Sequence, residues 1–152
     1  MDLAAKLRSC GVVGAGGAGF PTSVKAQSRV EFVIANGAEC EPLLHKDVEL
    51  MRRAPAEILD GLELMRQATG ARLGKVGVKA KNTAALEAIQ SRINPAAAEV
   101  TLLGDFYPSG DEYELVYSAT GRLIPPGGLP LQVGCVVNNV ETLYNVHQAS
   151  RA

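Results

Sequence analysis

Strand-like and helix-like segments alternate along this chain, and that alternation restricts the fold more than any other feature. Val30-Glu31-Phe32-Val33-Ile34-Ala35 is a β-branched run bounded by polar residues. Lys75–Val78 and Val100–Leu103 are two further short strands. Helical patterns lie between them. One covers His45–Arg53, and the next starts at Pro55, a favoured first helical position. Its apolar stripe is Ile58, Leu59, Leu62 and Met65, and Gly70 is placed to end it. Asn82 can cap a third, which carries Ala85, Leu86, Ile89 and Ile93 before Pro95 stops it. The order β-α-β-α-β calls for an α/β fold, a mainly parallel sheet with helices packed against it. Ligands of such sheets sit at the carboxyl ends of the strands. A short helix over Leu3–Arg8, capped by Asp2, precedes this pattern, and residues 1–152 read as one domain.

Glycines gather at the places where such a site would form. Gly14-Ala15-Gly16-Gly17-Ala18-Gly19 satisfies G-x-G-x-x-G, and Glu39 lies near the acidic position of a dinucleotide fingerprint. The context differs from that fingerprint. Only Val12 and Val13 separate Gly11 from Gly14, the segment before them reads as a helix, and Phe20-Pro21-Thr22 interrupts entry into a long one. Bare backbone N–H groups in a loop of this kind can cradle a phosphate or lie flat against a planar ring. Phe20 adds an aromatic face and Lys25 a positive charge about one helical turn further on.

Three more segments follow strands or open helices. Asn36-Gly37-Ala38-Glu39-Cys40-Glu41-Pro42 leaves the strongest strand with an amide and two carboxylates. An Asn amide both donates and accepts, which suits the polar edge of a flavin or nicotinamide, and carboxylates can accept from ribose hydroxyls. Tyr107-Pro108-Ser109-Gly110-Asp111-Glu112 opens a helix through Tyr113, Leu115, Val116 and Tyr117, where the acids also suit the helix dipole. After a rigid Pro- and Gly-rich connection, Val136–Thr142 combines an apolar segment, two amides and a helix start. Asn138 or Asn139 can cap that helix, and its first N–H groups with Thr142 make a phosphate site that needs no arginine.

Composition removes several classes of function. A net charge of −1 gives no general attraction to nucleic acid or anionic membrane. No apolar run is long enough to be inserted in a bilayer, and the first residues lack a signal-peptide core, so a cytoplasmic location is expected. Cys10, Cys40 and Cys135 are widely spaced, which argues against a local metal or iron–sulfur site and for thiols that pack or sit idle.

Four ordered segments carry a family resemblance: GAGGAGFPTSVK at 14–25, NGAECEP at 36–42, YPSGDE at 107–112 and VNNVETL at 137–143. They resemble the FMN-binding core shared by the flavin subunit of respiratory complex I, the corresponding flavin-type subunit of the Rnf electron-transport complex and the cobalamin reductase of propanediol-utilisation microcompartments, most of all the last. The resemblance implies a Rossmann-like three-layer domain that holds FMN, with NADH docking against the flavin. By motif, Gly14, Gly16, Gly17 and Lys25 would line the FMN, and Asn36 and Glu39 would meet its ring edge or ribityl chain. Gly110, Asp111 and Glu112 would border flavin and dinucleotide, while Asn138, Asn139 and Thr142 would hold the ribityl-phosphate end. Phe20 and Glu41 match positions linked to NADH. Ala38 departs from the complex I pattern, which has Asp there. Relatives continue into a β-grasp-like domain and iron–sulfur ligands, so the chain is expected to be a fragment or to need an electron-accepting partner.

The implied function is hydride transfer from NADH to FMN and onward delivery to an acceptor such as a corrinoid or an iron–sulfur domain or subunit. No side chain need act as general acid or base, and the flavin carries the chemistry. A bacterial microcompartment is a second location consistent with the resemblance. Two other readings stay open: a non-catalytic module that binds FMN, a corrinoid or a partner, and a dehydrogenase in which NAD alone sits at Gly14–Gly19.

Overall fold

The computed structural model describes Met1–Ala152. Its centre is a four-stranded sheet, all parallel, in the order β3-β2-β1-β4. The strands are β1 (Phe32–Asn36), β2 (Leu73–Lys79), β3 (Ala98–Leu103) and β4 (Cys135–Asn139). Parallel strands need crossover connections, and sheets built this way are covered on both faces. The apolar runs reflect that. In β1, Val33 and Ala35 face one core while Phe32 and Ile34 face the other.

The larger core lies under α1 (Leu3–Ser9), α2 (Thr22–Ala26), α3 (Lys46–Arg53), α4 (Pro55–Thr69), α5 (Thr83–Gln90) and α7 (Val140–Arg151). Leu7, Met51, Ile58, Leu62, Met65, Ile89 and Leu143 are buried there. The opposite face carries only α6 (Glu112–Thr120) and the irregular segment before β4, with Leu115, Val116 and Ile124 against Ile34 and Val137. The result is the three-layer α/β domain expected from the sequence. No helix is long and apolar enough to cross a membrane.

Local differences from expectation have plain causes. The apolar segment before Asn138, not counted among the strands from sequence, belongs to a full strand, β4, which pairs with β1. Thr22–Ala26 forms the short helix α2, although the sequence pattern there signals only the end of the glycine loop. Asn82 occupies the N-cap position of α5, yet its side chain makes no capping bond, because its φ of −85° and ψ of 65° lie outside the extended conformation of a working cap. Regular α5 ends at Gln90, although the Ile93 N–H still reaches the Ile89 carbonyl at 3.0 Å. Asp2, by contrast, caps α1 as expected, accepting from the Ala5 N–H at 2.7 Å, and Gly70 ends α4.

Candidate functional site

The sheet turns over between β1 and β4. From β1 the chain winds outward to β2 and β3, then returns to place β4 on the other side. Such a switch in winding direction opens a crevice beyond the carboxyl ends of the two adjacent strands. In this crevice lies a cleft of about 620 Å³. Register puts Asn36 of β1 beside Asn139 of β4 at its floor. The cleft wall contains Gly14, Gly16, Gly17, Phe20, Lys25, Asn36, Glu39, Glu41, Gly110, Asp111, Glu112, Asn138, Asn139 and Thr142. All the residues singled out from the sequence therefore meet in one place.

The glycine loop forms one end. Its legs are held by an isolated antiparallel bridge between Val13 and Pro21 and by the Gly14 N–H donating to the Phe20 carbonyl at 2.8 Å. It rises from helix α1 and runs into α2, so it does not follow a sheet strand as a dinucleotide fingerprint would. Gly17 at φ 113° and Gly19 at φ 62° let the tip turn in conformations that side chains resist. The Ala15 N–H donates to the Thr142 hydroxyl at 2.9 Å, which ties the loop to the first turn of α7. The N–H groups of Gly16, Gly17, Ala18 and Gly19 make no hydrogen bond within the chain. Successive free N–H groups beside a helix N-terminus form a concavity suited to an anion.

The two consecutive amides of β4 divide their work. Asn139 caps α7 by accepting from the Glu141 N–H at 2.8 Å. Asn138 lines the cleft at 2% exposure, and neither its Oδ1 nor its Nδ2 has a partner. Buried amides are almost always satisfied, so this one stands out as unused donor and acceptor capacity at the cleft wall.

The acidic side is bonded more densely. Asn36 Nδ2 donates to the Gly110 carbonyl at 2.9 Å, and its Oδ1 accepts from the Ala38 N–H at 3.0 Å. The Gly110 N–H points at Cys40 Sγ, 3.0 Å away. Cys40 is therefore no idle thiol but half of a latch between the 36–41 and 107–112 loops. A Cβ at position 110 would sit 1.9 Å from the Ala38 oxygen, so only glycine permits this approach. Glu39 Oε2 accepts from the Asp47 N–H at 3.2 Å and so caps α3 from a distance. Asp111 caps α6 through the N–H groups of Tyr113 and Glu114 at 3.0 and 3.4 Å. Glu41 and Phe20 stand exposed at the rim.

Two charged groups face the cleft from partly buried positions. Burial pushes the Lys25 pKa down, against the pull of Glu112. Its ammonium donates to the Val137 carbonyl at 2.5 Å and lies 5.7 Å from the centre of the Phe20 ring. Burial pushes the Glu112 carboxyl up; Lys25 opposes that and Asp111 reinforces it. Each group thus carries its charge at a desolvation cost, as groups poised to meet a ligand do.

Lys46 and Asp47 also line the cleft, and neither is singled out by the sequence. At the start of α3 they read as ordinary helix-end charges, and no motif distinguishes them. Lys46 Nζ lies 2.7 Å from Asp47 Oδ1 and 2.9 Å from Glu141 Oε2. Burial works against its charge, but these two carboxylates outweigh it and raise its pKa.

Comparison with known proteins gives the family and the fold. Residues 7–148 match the family model described as the Nuo51 FMN-binding domain. The chain is 44% identical over 144 residues to cobalamin reductase PduS of Citrobacter freundii, an alignment covering 95% of this chain and 32% of that protein. It is 40% identical over 146 residues to one subunit of the Na(+)-translocating ferredoxin:NAD(+) oxidoreductase complex of Acetobacterium woodii, covering 93% of this chain and 33% of that one. Among solved structures it is similar to a chain of an NAD+-reducing NiFe-hydrogenase in the air-oxidized state, with a TM-score of 0.79 and 31% identity over 96% of this chain and 29% of that chain. The chain spans about a third of the length of the curated relatives it matches.

Proposed function

Because the chain belongs to the Nuo51 FMN-binding domain family, we propose that its cleft holds FMN and that the protein is the flavin domain of an NADH-linked oxidoreductase. The observation that carries this reading is the amide of Asn138, buried in the cleft with both polar atoms unpartnered. A flavin offers donors and acceptors along its ring edge and ribityl chain that such an amide can satisfy. The bare N–H groups of Gly16–Gly19 and the first turn of α7 suit its phosphate.

The chemistry FMN supplies when bound is uptake of two electrons from a hydride donor and their release to an acceptor. The protein binds, orients and sets charge. Gly14, Gly16, Gly17, Asn138, Asn139 and Thr142 form the phosphate and ribityl side. Asn36 and Glu39 support the ring side, largely by holding their own loops. Lys25 places a positive charge in a partly buried setting, where it favours extra negative charge in the cleft. Phe20, Glu41, Gly110, Asp111 and Glu112 border the open side, where NADH would dock.

NADH as donor is supported by relatives whose names include NAD. The acceptor in this reading is a corrinoid or an iron–sulfur domain or subunit, in line with a relative named cobalamin reductase. Residues 1–152 are then the FMN- and NADH-binding domain of the system, placed in the cytoplasm or inside a microcompartment.

The test is an absorbance spectrum of purified protein after adding FMN and desalting, followed by NADH without oxygen. A retained flavin band that NADH bleaches is the expected result. A retained band that NADH leaves unchanged would overturn the NADH-linked role in favour of a binding module. Loss of flavin with retention of NADH would overturn the flavin reading in favour of a dinucleotide site.

A further inference from the structure

Asp47 is only 3% exposed, and its polar groups reach different elements. Oδ2 accepts from Asn139 Nδ2 at 2.9 Å, Oδ1 faces Lys46 Nζ at 2.7 Å, and the backbone N–H donates to Glu39 at 3.2 Å. The orientation of Asn139 is set from its other end. Its Oδ1 accepts from the Glu141 N–H, so a flip would point an NH2 at that N–H. Asp47 therefore accepts from the side-chain NH2 of the residue that caps α7. From there the contacts continue: Thr142 in the first turn of α7 holds the glycine loop at Ala15, and a Cβ on Gly16 would lie 3.6 Å from the Asn139 Cβ.

We propose that Asp47 is a positioning residue: through Asn139 it holds the start of α7 and the glycine loop in the arrangement that receives the flavin phosphate. This role rests on the flavin reading above. The charge of Asp47 does not itself favour a phosphate. A carboxylate near the anion end repels one, and Lys46 offsets that repulsion. Simple electrostatics therefore predicts that neutralising Asp47 tightens FMN binding, whereas positioning predicts the opposite.

The decisive measurement is the dissociation constant of FMN and of riboflavin, by flavin fluorescence, for the wild-type chain and for variants. In Asp47→Asn the side-chain oxygen stays with Lys46 and an NH2 meets the NH2 of Asn139. FMN binding should weaken about ten-fold, as for loss of a charge-assisted hydrogen bond, with riboflavin much less affected. Asn139→Asp keeps an acceptor for the Glu141 N–H but sets a carboxylate against Asp47. In the double variant the new amide at position 47 can donate to the new carboxylate at position 139. It should bind FMN about ten-fold more tightly than the two single losses multiplied together would give.

Unchanged or tighter FMN binding in Asp47→Asn would overturn the proposal, as would equal weakening of FMN and riboflavin or purely multiplicative losses in the double variant. If Asp47→Asn does not fold, recovery of folding and FMN binding in the double variant supports the same role, and failure of both to fold overturns it. A wild-type chain that binds neither flavin would overturn the flavin reading itself, a result distinct from all of these.

Discussion

The two sides of the cleft are built on opposite plans. On the glycine-loop side, four consecutive N–H groups and the Asn138 amide are left without partners in the chain. On the acidic side, Asn36, Cys40, Glu39 and Asp111 are all engaged, with the Gly110 backbone, with the Asp47 N–H or with the first turn of α6. The first side leaves hydrogen-bonding capacity unused within the chain, at some expense in stability. The second uses the same residue types to hold two loops and a helix end in place. A polar side chain in a binding cleft is thus no direct guide to ligand contact; what decides is whether its partners are already supplied.

Substitutions can break that contrast. The largest effect is expected at Gly110. Gly110→Ala puts a methyl group 1.9 Å from the Ala38 oxygen and 2.7 Å from Cys40 Sγ, so the latch must open. A loss of about 3 kcal/mol in urea unfolding is expected, together with loss of FMN retention. A cost under about 1 kcal/mol would show that the two loops do not hold each other.

Asn138→Leu should act in the opposite sense on stability. Removing a buried amide without partners should leave the ligand-free fold unharmed or stabilise it by about 1 kcal/mol, while FMN affinity falls about ten-fold. Denaturation and flavin fluorescence on one preparation test both halves. A variant that loses stability and keeps its affinity would place Asn138 with the structural residues.

The smallest effect concerns pH. Burial lowers the Lys25 pKa from its ordinary value of 10.5. Between the lowered value and 10.5 the unfolded chain holds more protons than the folded one, so this group makes stability rise with pH across that window. Lys25→Met should remove the rise and also weaken flavin binding. Unfolding free energies measured at rising pH up to 10.5 give the difference between the two proteins. Parallel curves would mean that Lys25 is solvated in the fold.

Much of the site was legible because its elements are local. A loop with Gly16, Gly17 and Gly19 offers bare N–H groups whatever surrounds it, and amides directly after a β-branched run stand at a strand's carboxyl end. The division between Asn138 and Asn139 was not legible. Both fit a helix cap, and only the handover from β4 to α7 selects Asn139. Lys46 and Asp47 carried no signal, because two charges at a helix start are commonplace. Their importance arises from Asn139 and Glu141, which lie more than 90 residues further along the chain. The bond of Asn36 to the Gly110 carbonyl was hidden for the same reason, since its partner lies in the 107–112 loop. That of Glu39 reaches only to the Asp47 N–H, and the turn of chain between them gave no pattern to show it.

By itself the sequence determined the class of fold, a mainly parallel sheet with helices against it, and the four segments that surround the cleft. These follow from hydrophobic period and from backbone freedom at glycine, which act over a few neighbouring residues. Tertiary structure alone decided the strand order, the place of β4 beside β1, and which polar groups were satisfied internally and which left free. That last choice depends on donors and acceptors brought together from distant parts of the chain, and a hydrogen bond exists only when both ends arrive within about 3 Å.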